Sequence, residues 1–153
     1  MTGIKVKKAG PALSVQDSGR VGLLESGVSR GGAADMRAVA EGAALLRQSP
    51  DLAVLEMAGL GGSFEALGDV CIALSGAPMT ATLDGAPLAW NASHQLVAGQ
   101  RLEIGGVRQG VYGYLHLGGG VDTPMLLGAR SVHLAADLGR RTKAGDVLTA
   151  GAV

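Results

Sequence analysis

Asp17, Arg20, Arg30 and Asp35 fall within "DSGRVGLLESGVSRGGAAD", residues 17 to 35, together with five glycines. An arginine can hold a carboxylate or phosphate through paired N–H donors while a nearby aspartate orients it. Gly31 and Gly32 stand just before a helical pattern, where free backbone N–H groups favour an anion, and Arg30 beside them would complete such a site. The plainer alternative is that Asp17 and Arg20 pair with each other, or with loop carbonyls, and only fix the turn. Glu56 follows an apolar run in "AVLEMAG". There it would serve as a general acid or base if burial raised its pKa, or would simply accept hydrogen bonds from nearby backbone. Further on, "GGGVDTPMLLGARS" supplies Asp122, Arg130 and Ser131, either as site residues facing the first loop or as hairpin scaffolding.

Other chemistry is weaker. His94, His116 and His133 lack close metal-ligand spacing, so no metal site is expected. "GLGGS" at 59 to 63 lacks the Lys-Ser/Thr of a phosphate loop and reads as a turn. Ser75 in "LSGA" lacks the flanking pattern of a nucleophile elbow. Cys71, the single cysteine, lies in the apolar run "VCIALSG" and reads as a buried, inert thiol in a reducing compartment. Thirteen basic residues balance thirteen acidic ones without a like-charged block, which argues against nucleic acid as a partner. No run approaches a membrane span and "MTGIKVKKAG" has no apolar signal core, so a cytoplasmic location with no membrane is expected.

The elements that must position these residues are mostly strands. Twenty-six glycines recur at turn-like intervals between short apolar runs at 4–6, 12–15, 52–57, 70–74, 79–83, 94–97, 102–104, 111–117 and 146–149. So many short runs suit a closed or nearly closed barrel. Asp84-Gly85 in "ATLDGAPL" predicts a hairpin, and Gly99 in "LVAGQRLEI" a second turn of the same kind. In "VYGYLHL", Val111, Gly113, Leu115 and Leu117 alternate with Tyr112, Tyr114 and His116, so both faces are covered or one lines a cleft. Only 33–48 has helical spacing, through Met36, Val39, Ala40, Ala43 and Leu46, with Asp35 in the first turn. Apolar residues reach 47% but aromatics only 3%, so the core must be aliphatic. The chain reads as one domain.

"SVQDSGRVG", "SGVSRGGAADM", "VLEMAG", "ALSGAPMTATLDG", "VAGQRLEI", "GVYGYLHLGGGVDTPMLLGARS" and "GRRTKAGDVL" occur in an order and spacing that carry a family resemblance across nearly the whole chain. The sequence resembles the allophanate hydrolase subunit 2, or KipA-like, family. That family includes the C-type component of bacterial ATP-dependent 5-oxoprolinase and corresponds to part of the carboxyltransferase domain of urea carboxylase. The resemblance implies a mainly β fold, a cyclophilin-like closed β-barrel with one principal α-helix. Residues 1–153 would form its N-terminal lobe without the C-terminal lobe.

As to function, the resemblance implies a subunit of a multi-component ATP-dependent amidohydrolase, or of a biotin-dependent carboxyltransferase, acting on small amide, lactam or ureide substrates. ATP or biotin would sit on partner subunits, of A type and of a related B-type barrel, with no cofactor bound directly. Asp17, Arg20, Asp35 and Glu56 become the expected catalytic residues. Arg30, Gly31, Gly32, Asp122, Arg130 and Ser131 become the expected substrate or anion contacts. An exposed apolar patch, where the absent lobe would pack, would drive homo-oligomerisation. Two departures, Ala43 in place of a family asparagine and Val132 in place of a threonine, favour an alternative: a non-catalytic regulatory module resembling a kinase-inhibitor antagonist.

Overall fold

A computed structural model describes all of residues 1–153. In chain order the elements are β1 (Gly3–Ala9), β2 (Leu13–Gln16), α1 (Met36–Leu45), β3 (Val54–Ala58), β4 (Leu60–Ala66), β5 (Val70–Gly76) and β6 (Met79–Leu83). They continue with β7 (Ala86–Pro87), β8 (Ala92–Leu96), β9 (Arg101–Val107), β10 (Tyr112–Leu117) and β11 (Val147–Thr149). The strands form two antiparallel sheets, ordered β11-β1-β4-β9-β6-β7 and β2-β3-β10-β5-β8. Alternate residues of both sheets, among them Ile4, Leu55, Phe64, Ile72, Leu102 and Leu115, share one apolar cluster, as face-to-face packing of half-buried strands requires.

The expected closed barrel is not formed. No strand pair joins the two sheets, and each sheet keeps two margins. The turn at Gly99 shows why. It does not close a hairpin, because β8 pairs with β5 in one sheet while β9 pairs with β4 and β6 in the other. The chain crosses between layers at this point. The Asp84-Gly85 hairpin does form between β6 and β7, with φ of 48° and 84° at its two central residues.

"GLGGS" is a second correction, since most of it lies in β4, between β1 and β9. A Cβ on Gly61 would collide with the Ile104 side chain, and one on Gly62 with the Lys8 carbonyl. Close packing, rather than turning, accounts for these two glycines, which interrupt the alternation of the strand, whereas Gly59, at φ 75° with open space around it, does make the turn from β3.

The helix is shorter than its spacing suggested, and Asp35 is its N-cap, accepting from the Ala38 N–H at 3.1 Å. It lies on the outer face of the second sheet, where Ala38 and Val39 pack with Val54 and Tyr114. Tyr114 and His116 are buried under it while Leu115 and Leu117 face the core, so both faces of β10 are covered. Cys71 lies beyond its reach and is exposed, its Sγ 2.7 Å from Gln95 Oε1, which corrects the expectation of a buried thiol.

Candidate functional site

Beside the start of α1, on the same outer face, lies a hollow of about 350 Å³. Gln16, Glu56, Tyr112, Gly31, Gly32 and His133 form much of its wall, and Arg141 stands at its rim. The register explains part of this. Ser14 pairs with Glu56, and Glu56 with Tyr114, so side chains of β2 and β3 point out together while Leu13, Val15, Leu55 and Met57 point into the core.

Glu56 is held firmly. Its Oε2 accepts from the Ala34 N–H and from the Tyr114 hydroxyl, both at 2.8 Å, and Oε1 has no hydrogen bond within the chain. The Tyr114 hydroxyl in turn accepts from the Asp35 N–H at 2.9 Å. Burial, opposed by the Asp35 N–H and reinforced by the Glu56 carboxylate, raises the pKa of Tyr114 far above that of an ordinary phenol. Its hydroxyl therefore stays protonated and donates to Glu56. Gln16 is only 7% exposed. Its amide nitrogen donates to Ser14 Oγ at 3.0 Å and to the Val132 carbonyl at 3.1 Å, but its Oε1, also buried, has no partner. The hollow thus presents one free acceptor, Glu56 Oε1, with the partnerless Gln16 Oε1 closed off in its wall and a positive charge at Arg141.

The other expected residues are placed differently. Asp17 is buried: it accepts from the Gly19 N–H at 2.9 Å, the Arg130 N–H at 2.7 Å and the Ser131 hydroxyl. Arg20, 2% exposed, donates to the carbonyls of Leu126 at 2.8 Å and Ala129 at 3.3 Å. These two side chains do not pair with each other; they bolt the first loop to the 126–131 segment. Asp35 caps the helix. Asp17, Arg20 and Asp35 consequently share no hollow, and the expected clamp of an arginine with orienting acids is not assembled. Asp17 is taken up by loop N–H groups and the Ser131 hydroxyl, and Arg20 by two loop carbonyls, with Arg20 Nη1 left buried and without a partner.

At the expected anion site before the helix, part of the donor set is already used. The Ala33 N–H is taken by the Asp17 carbonyl and the Ala34 N–H by Glu56, while Asp35 occupies the cap. Arg30 is exposed and donates to the Ser18 carbonyl at 2.8 Å. Asp122 and Arg130 form an ion pair at 2.8 Å. Arg130 and Ser131 border a separate hollow of about 310 Å³, together with Thr123, Thr142 and Asp146. A larger hollow, about 850 Å³, opens at the far end of α1 near Arg47, Cys71 and Gln95, away from every expected residue.

Sequence reasoning missed Gln16, His133 and Arg141. Gln16 sits at the end of a short alternating strand, which was the signal within reach. Nothing local marks the other two, which arrive from far downstream of Gln16 only when the chain folds back along β2.

Comparison with known proteins decides the family. Residues 26–153 match the model for the carboxyltransferase domain, subdomain A and B. The chain belongs to this family. It is 34% identical to the C-type component of the Escherichia coli (strain K12) 5-oxoprolinase over 97% of its length, covering 49% of that protein. It is 30% identical to the urea amidolyase of Saccharomyces cerevisiae over 96% of its length, covering 8% of that larger protein. Among solved structures, TTHA0988 superposes over the whole chain with a TM-score of 0.95 at 29% identity, this chain covering 31% of it. The K. lactis urea amidolyase superposes over 97% of this chain and 9% of its own, with a TM-score of 0.91 at 31% identity. This family member therefore spans about half the length of its relatives among the 5-oxoprolinase components.

Proposed function

We propose that this chain supplies one wall of the active site of a multi-component enzyme acting on small amides, lactams or ureides, with the substrate seated in the hollow beside α1. Two reactions fit the relatives' names: ATP-dependent opening of 5-oxoproline to glutamate, and biotin-dependent carboxyl transfer. In this reading ATP or biotin is carried by partner subunits of A and B type, and the second half of the site by a companion lobe. The stretch at 59–63 lacks the Lys-Ser/Thr of a phosphate loop, and its Gly61 and Gly62 are packed inside β4.

The observation that carries the reading is the free Glu56 Oε1 in a hollow whose wall also holds the buried, partnerless Gln16 Oε1, an acceptor that a small turn of the Gln16 side chain would bring to a ligand. A buried acceptor left bare is costly, and a ligand N–H relieves that cost. Lactams, amides and ureides all present such N–H groups. Glu56 Oε1 is the free acceptor for them, Gln16 Oε1 the second, and Arg141 the cation for a substrate carboxylate. Gly31 and Gly32 shape the wall. Asp17, Arg20 and Asp35 act as positioning residues: they hold the loop and helix start against which Glu56 is fixed. Asp122, Arg130 and Ser131 brace the opposite loop.

The test is ATP-dependent glutamate release by separately produced A-type and B-type subunits, with and without this chain. Stimulation by the chain is expected, and Glu56→Gln should lower kcat/KM about 10²-fold or more while keeping the fold. No stimulation would overturn the proposal. One observation favours the regulatory alternative, namely that Asp17, Arg20 and Asp35 are spent on structure. Co-purification with a signalling protein and no catalytic partner would support it.

A further inference from the structure

The four sheet margins are not equivalent. Outside β2, the Val132 N–H bonds the Val15 carbonyl and the Thr142 N–H bonds the Leu13 carbonyl, so the 132–142 segment covers that edge. The margin at β7 is two residues long and contains Pro87. Beyond β11, the Asp122 N–H reaches the Thr149 carbonyl and Val121 bridges Ala150. Only β8, Ala92–Leu96, is left: it pairs with β5 on one side, and no backbone bond from a loop or turn reaches its residues. Folded proteins protect such edges with charge, proline, a bulge or a cover, because a bare edge is a template for another strand. Here there is no proline and no charged residue from Trp90 to Gln100, and β8 pairs with β5 without a register shift.

We propose that β8 is a dimerisation edge, pairing antiparallel with β8 of a second copy to join two five-stranded sheets across a two-fold axis. The strand is self-complementary in this register. Centred on His94, pairing sets Ala92 opposite Leu96 of the second copy on the inner side, and exposed Ser93 opposite exposed Gln95 on the outer side. No like charges meet, and the chain's zero formal net charge offers no general repulsion. The pairing leaves the Glu56 hollow, on the β2 side of the sheet, untouched. It needs no companion lobe and stands apart from the functional reading above.

Charge exchange at the outer pair tests it without disturbing the core. Sedimentation equilibrium of the wild-type chain should show mass rising from monomer to dimer with concentration. The variant Ser93→Lys/Gln95→Lys, and separately Ser93→Glu/Gln95→Glu, should remain monomeric, each setting like charges opposite each other twice. Mixing the two should restore a dimer, which a merely unfolded variant would not do. A wild-type monomer at all concentrations, or a dimer that persists in the lysine variant, would overturn the proposal. So would a dimer abolished only by Met125→Asp/Leu127→Asp in the exposed loop.

Discussion

His116 is the residue whose burial has the clearest measurable consequence. Ser75 Oγ donates to the Ala38 carbonyl at 2.8 Å and lies 2.9 Å from His116 Nε2, so Nε2 carries the proton and donates to Ser75. Nδ1 is left buried and without a partner. Desolvation lowers the His116 pKa to about 4. A histidine kept neutral by the fold contributes no penalty above the unfolded pKa of 6.5. As pH falls from there towards 4, the unfolded chain takes up the proton and the fold does not. Stability should drop by about 3 kcal/mol across that window. Urea midpoints between about pH 7 and pH 4 measure this, and His116→Gln should flatten the profile over that range. The Ser75–His116 pair was not legible as a unit: each lies on its own strand with no motif around it, and only the register of β5 with β10 brings them together.

The helix rests on that histidine. A Cβ at Gly42 would collide with His116 Nε2, so glycine is required by close approach where helix propensity prefers alanine. Gly42→Ala is expected to destabilise by about 1–3 kcal/mol despite a propensity gain of about 1 kcal/mol. The additional change His116→Ala should relieve most of the loss, and thermal or urea unfolding of the cycle checks it. Tyr114→Phe belongs to the same scale, since it strips a donor from Glu56 and an acceptor from the Asp35 N–H. It should cost about 1–3 kcal/mol and lower activity through a displaced Glu56. Element types were mostly readable, because alternation and helical spacing survive in short apolar runs. The β4 strand was not, since Gly61 and Gly62 erase the alternation that packing against Ile104 and Lys8 demands.

For the whole molecule, local signals ran out at the pairing of strands. Nothing in "LVAGQRLEI" distinguishes a hairpin from a crossover between layers, and the difference separates a closed barrel from two open sheets. The same limit applied to the site. Glu56, Gly31 and Gly32 were identified and do share a hollow, whereas Asp17, Arg20 and Asp35 were grouped by nearness in sequence and are separated by their bonding partners. Long-range closure against the 126–142 segment, which supplies His133 and Arg141, makes the hollow. The central claim is that this hollow receives the N–H of a small amide or lactam. Equilibrium binding of 5-oxoproline to the reconstituted complex tests it most directly, comparing wild type, Gln16→Leu and the distant exposed variant Ser93→Lys. The account predicts binding at least about 10-fold weaker for Gln16→Leu with its fold intact, from loss of a buried acceptor, and unchanged for Ser93→Lys. Equal affinity for all three would contradict it.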